Sequence, residues 1–161
     1  MDSKSGVGTL FVAMTAGLVL AACAGTGSPN RFYAAHIYTC CAELTANATW
    51  HRGRQLTLHW TAEPQGTTAD DTRHQIVLKL SLTGPFPSVD ALKQATSRGS
   101  QPAGVKTIAS QPVTVNDRTF DTPASTLDLP PDLAPGYYNL DAESASADGS
   151  SGGGAVVFIA P

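Results

Sequence analysis

Cys40 and Cys41 are the residues whose types and spacing most readily do chemistry in this chain of 161 residues and three cysteines. Neighbouring side chains on an extended strand point to opposite faces, so a bond between these two sulfurs requires a turn. In an oxidising compartment three outcomes stand open: a vicinal disulfide, two buried thiols, or a soft-metal site. Thiolates with imidazole favour copper(I) or zinc. His36 lies on the same strand face as Cys40, and His51 and His59 can approach from neighbouring strands. The chain nevertheless has no Cys-x2-Cys or His-x3-His pair. The expectation is therefore no metal and no cofactor, with Cys40, Cys41 and His36 as the alternative copper or zinc set.

Nucleophilic catalysis has no recognisable framework. Ser-x-x-Lys does not occur, no cysteine has a plausible base beside it in the sequence, and Gly-x-Ser-x-Gly is met only in letters, at Gly149 to Gly153. Gly149-Ser150-Ser151-Gly152 falls at an expected hairpin tip, where a strand-to-helix elbow would be needed. Asp70-Asp71 is a loop pair that water solvates. Asn47-Ala48-Thr49 fits a glycosylation sequon whose meaning lapses in bacteria. No catalytic residue is expected, and the chain reads as a non-enzyme.

The third cysteine has a different setting. Lys4 precedes an apolar run from Val7 to Leu20, of signal-peptide length and too short to span a bilayer as a helix. Leu20-Ala21-Ala22-Cys23 follows at once. This resembles the lipobox of bacterial lipoproteins, although Asp2 offsets the charge of Lys4. The resemblance implies a signal peptide over 1–22, cleavage after Ala22, and an acylated Cys23 (a diacylglyceryl group and a palmitate-type chain) at the mature terminus. More than one acyl chain gives stable anchoring without a transmembrane helix. Residues 23–31 then act as a flexible tether: Ala24 to Asn30 reaches roughly 25 Å when stretched.

A net charge of −3 with no basic run argues against nucleic acid, whose phosphates need clustered Lys and Arg. Charged residues are 14% and hydrophobic residues 42%, which suits a core-forming chain better than a disordered one. Beyond residue 116, Arg118 alone faces a series of acids that includes Asp117, Asp141 and Asp148. No calcium-type loop accompanies them, so they read as turn and strand-end residues.

Period-two alternation dominates after Arg31. It runs through Leu44–Trp50, Leu56–Trp60 and Ile76–Leu82, with a turn at His51-Arg52-Gly53 and a polar loop through Gly66 and Asp71. Ser88 to Ser97 predicts one short helix, capped by Ser88. Val105–Val115 is extended but broken at Pro112, as an edge strand would be. Thr126–Leu129, Tyr137–Ala142 and Ala155–Ile159 complete the set, and the glycines between Ser144 and Gly154 predict a mobile hairpin.

About seven such strands with one helix predict an all-β, antiparallel sandwich over residues 32–161. The stretch Asp132 to Leu140 resembles the start of strand F in immunoglobulin-like domains. That resemblance implies that Tyr138 closes a tyrosine corner, that Tyr137 faces the other way, and that Trp60 is core. Pro135 to Phe158 is also similar to the end of periplasmic copper-binding sandwiches of the CopC type, through Gly136-x-Tyr138 and Ser146-Ala147-Asp148-Gly149. Ser150 stands where that family places a ligand histidine, so the similarity speaks for the fold and against that copper site.

The functional expectation is a lipid-anchored lipoprotein on the extracytoplasmic face of the cell membrane, acting as a binding or accessory module. Its partner is an envelope protein, a glycan or a lipid. The alternatives are copper or zinc handling, and a structural subunit of an envelope complex, which predicts a large exposed apolar patch. The Ala, Gly, Thr, Asp and Arg content is compatible with a high-GC actinobacterium.

Overall fold

Leu78, Leu80 and Leu82 have no exposed surface and form the centre of the protein. The computed structural model describes residues 33–41, 43–44, 48–68 and 72–161. The expected signal segment 1–22, Cys23 and the tether to residue 31 lie outside the described residues. Among those described, no helix is long and apolar enough to cross a membrane.

Among the described residues nine strands and one helix follow in order: β1 (Tyr33–Cys40), β2 (Thr49–His51), β3 (Gln55–Thr68), β4 (Gln75–Phe86), α1 (Val89–Arg98), β5 (Lys106–Ala109), β6 (Val113–Asn116), β7 (Ala124–Asp128), β8 (Gly136–Ser146) and β9 (Gly149–Ala160). They make two sheets, β1-β3-β7 and β2-β9-β8-β4-β5, with β6 also on the β4 edge. This is an all-β sandwich.

Alternation explains which faces meet. On β4, Ile76, Leu78, Leu80 and Leu82 point inward, and β8 answers with Tyr138, Leu140 and Ala142. The opposing sheet supplies Tyr38, Leu58, Trp60 and Leu127. Each fully buried leucine contributes about 1.5–3 kcal/mol relative to exposure. The Trp60 indole N–H donates to Ser125 Oγ at 2.9 Å, so its polar edge is satisfied inside the core.

Helix α1 forms because Ser88 Oγ accepts from the Ala91 N–H at 3.1 Å, with Asp90 in the first turn. Left-handed Gly99 ends it, its φ of 61° being one that glycine adopts freely. Leu92 and Ala95 pack with Phe86, Val105, Tyr137 and Val156 in a second, smaller cluster. Tyr137 and Tyr138 therefore serve opposite faces of β8.

The expected sandwich is present, and four details within it differ. Short strands bring the number to nine, and one of them, β2, pairs with β9 in parallel while the other pairings are antiparallel. Among the described residues only Thr49 and Trp50 of the expected Leu44–Trp50 strand are strand, and β2 runs on into His51, expected in the turn. The expected loop after Trp60 is strand as far as Thr68, because β1 supplies partners from Trp60 to Thr68, with a bulge at Ala35/His36. Its exposed polar residues hide the alternation without weakening the ladder. Lastly, the glycine-rich stretch after Gly149 is strand, pairing with β8 along its whole length. Gly152 lies so close that an added Cβ would sit 2.9 Å from the Ala142 carbonyl oxygen, a crowding that explains the glycine.

Pro112 does break the extended Val105–Val115 segment. β5 and β6 lie one after the other along the same edge of β4, and Ser110 bridges the gap. Its N–H donates to the Leu80 carbonyl at 2.9 Å, and its Oγ accepts from the Leu80 N–H at 3.0 Å.

Candidate functional site

Asp117 follows β6 and turns the chain across the mouth of the sandwich, where it ties two histidines together. Its carbonyl accepts from both the His36 N–H and the His36 Nδ1–H, each at 2.9 Å. Its carboxylate Oδ1 accepts from the His74 N–H at 2.9 Å, and its own N–H donates to the His74 carbonyl at 3.0 Å. Tyr38 fastens the same turn, its hydroxyl donating to the Thr119 carbonyl at 3.0 Å. The turn also covers part of the open edge of β1, which an edge strand otherwise leaves unpaired.

His36 and His74 line a cleft of about 390 Å³, together with Asp117, Ser144, Ser146 and Asp148. His36 is 2% exposed. A carbonyl can only accept, so the Asp117 bond places a proton on His36 Nδ1. Among the described residues Nε2 has no hydrogen-bond partner. His74 Nδ1 lies 3.5 Å from Asp148 Oδ2, and Arg118 Nε lies 3.7 Å from Asp117 Oδ1. Phe120 packs edge-on against the His36 ring, with centroids 3.9 Å apart. It is the large hydrophobic side chain left exposed among the described residues, at 66%.

A second, apolar groove of about 410 Å³ lies at the opposite end of β8 and β9, between Pro85, Pro87, Pro135, Tyr137 and Phe158.

Cys40 and Cys41 are joined in a vicinal disulfide across a cis peptide bond. Cys41 is buried in the main core, and Cys40 packs against it. The two sulfurs are bonded to each other, and His36 is held through Nδ1 to the Asp117 carbonyl. Among the described residues no three His, Cys, Asp or Glu side chains form a group that could hold a metal ion. His59 is exposed and pairs through Nδ1 with Glu43 Oε1 at 2.7 Å. A backbone hydrogen bond at Glu43, assisted by His59, holds that carboxyl below its ordinary range. His51 is exposed on β2. The Tyr138 hydroxyl donates to the Ala134 carbonyl at 2.7 Å, and burial pushes the phenol above its usual value. Cys23 lies outside the described residues.

Sequence reasoning singled out His36 but missed His74, Asp117, Asp148 and Phe120 as its companions. Asp117 and Asp148 read as turn residues, which they also are. What makes them a site is the turn after β6 reaching the β1 edge, and no local pattern carries that information.

No protein-family model matches the chain, and no curated protein matches it in sequence.

Proposed function

We propose that this protein is a membrane-anchored lipoprotein of the bacterial cell envelope whose sandwich serves as a non-catalytic binding module. The observation that carries the reading is Leu20-Ala21-Ala22-Cys23, placed directly after an apolar run and shortly before β1. Acylation at Cys23 would hold the domain on the extracytoplasmic face, on a leash of roughly 25 Å. The cleft supports the binding half. It opens at the end of the sandwich where β1 begins, between the start of β1 and the β8–β9 turn. A ligand at the membrane surface is therefore within its reach.

The test is the intact mass of chain extracted from bacterial membranes, with and without reduction and alkylation. The expected mass begins at an acylated Cys23, and two further alkylations appear only after reduction of Cys40–Cys41. A chain retaining residues 1–22 without lipid overturns the anchoring.

A further inference from the structure

We infer that the open outer edge of β9 pairs with an extended basic segment of a partner protein; this rests on reading the domain as a binding module and names what it holds. β9 meets β8 along its whole length, but on its other side β2 pairs only with Phe158–Ala160. Among the described residues nothing pairs with that side from Gly149 to Gly154, and every one of these residues is exposed. The Phe158 N–H donates outward, to the Ala48 carbonyl at 3.0 Å. In an antiparallel ladder every second residue turns its N–H and C=O the same way, so Gly154 and Gly152 present theirs to a further strand.

The other sheet edges carry protection that this one lacks. The Asp117 turn covers part of β1, Pro112 breaks the β5–β6 edge, and β7 is 5 residues long between Pro123 and Pro130. A cover, a proline, a lysine or a bulge is how edge strands ordinarily avoid pairing with other chains. Gly149 to Gly154 has none of these: its pairing with β8 runs without a register shift, and its residues are all glycine or serine. Glycines in succession do not favour a strand by themselves. A Cβ at Gly153 would meet nothing within 4 Å, so packing inside the domain does not demand glycine there. Close approach of a second backbone does.

Charge selects the partner. Asp141 and Glu143 stand exposed on β8, directly opposite Gly154 and Gly152. The Asp141 carboxylate leans over the glycine, with Oδ1 3.3 Å from where a Gly154 Cβ would lie. Among the described residues no Lys or Arg forms an ion pair with either acid; Lys79 faces Glu143 in register from β4, and Ser81 faces Asp141. A strand added to β9 lies about 9.6 Å from β8, two strand spacings away, and glycine puts no side chain in between. A lysine or arginine of that strand reaches across Gly152 or Gly154 to the acids. A second copy of this chain would bring the same carboxylates to the junction, so like charges oppose self-pairing.

The experiment titrates the full chain in detergent with a peptide alternating lysine and threonine, and with the same peptide carrying glutamate in place of lysine. Amide exchange of Gly152 and Gly154, read by NMR, is the reporter. Saturable protection of both amides by the lysine peptide, weakened at high salt, is the expected result. The double variant Asp141→Asn with Glu143→Gln, both at exposed positions, should bind about fivefold more weakly. Gly154→Pro removes one outward N–H without touching the β8 ladder and, read at Gly152, should weaken binding about tenfold. No protection of these amides, equal binding of the glutamate peptide, or full binding in both variants overturns the inference. Protection that appears without peptide and grows with chain concentration overturns it too, and assigns the edge to a second copy. Mass analysis of Cys23 on the same sample keeps the outcomes apart: an acylated chain that ignores the peptide refutes the edge assignment alone, and an unacylated chain that binds it refutes the anchor alone.

Discussion

Replacing Tyr138 with phenylalanine removes one oxygen atom and leaves the core intact. The ring is fully buried between the sheets, while its hydroxyl reaches out to the Ala134 carbonyl at 2.7 Å. Phenylalanine keeps the ring, so the loss at neutral pH is that of one hydrogen bond, about 1 kcal/mol. For a domain of this size that lowers Tm by about 4 °C. The pH dependence is more diagnostic. Burial raises the folded-state phenol above its ordinary value of 10.0, so above that pH the unfolded chain releases a proton that the folded chain keeps. Folded protein then holds more protons, and stability falls as pH rises from the unfolded value to the folded one, by at most about 1.4 kcal/mol per pH unit. The Tyr138→Phe variant has no such loss at this position. Urea unfolding followed by tryptophan fluorescence should therefore show the variant less stable than the parent at neutral pH, with the gap narrowing above pH 10. A variant as stable as the parent at neutral pH, or a gap that stays constant into the alkaline range, would refute the reasoning.

Trp60→Phe strands Ser125 Oγ in the core and should cost about 1–3 kcal/mol in urea unfolding beyond the lost ring area, with Ser125→Ala on the same background recovering part of it. Gly84→Ala places a Cβ into the Tyr138 ring and 2.8 Å from the Tyr137 carbonyl oxygen, so the calorimetric midpoint should drop by the equivalent of about 3 kcal/mol. Glu43→Gln should move stability by less than about 0.5 kcal/mol, because the His59 pair is exposed. The lowered Glu43 carboxyl contributes above pH 4.5 and loses that contribution as pH falls through its folded-state value; an effect largest at neutral pH and reduced by salt in unfolding titrations is the expected pattern.

Strands that bury one face were legible in the sequence. Ile76 to Leu82 and the start of β8 alternate cleanly because solvent and core select opposite residue types at successive positions. Ser88 and Gly99 marked the ends of α1 for equally local reasons. β3 beyond Trp60 was illegible, since Thr61 to Thr67 is mostly exposed and only pairing with β1 makes it strand. The same distinction governs the site. Tyr138 bonds back over four residues and could be read from the segment around it, whereas Asp117 reaches His36 over 81 residues. Adjacent Cys40 and Cys41 were conspicuous without declaring their state, because neighbouring sulfurs are compatible with several chemistries.

The Asp117 turn also determines when the cleft exists. Its bonds join segments 43 and 81 residues apart, so both histidines come into place only after two long loops have closed. A chain with its hairpins formed but its sheets undocked has no cleft at all. Any ligand held there binds the folded form alone, and its free concentration adds directly to the work of opening the sandwich. Occupancy would thus be felt at the far edge of the domain as slower exchange of buried amide protons. The protein's resistance to proteolysis would then report the supply of such a ligand.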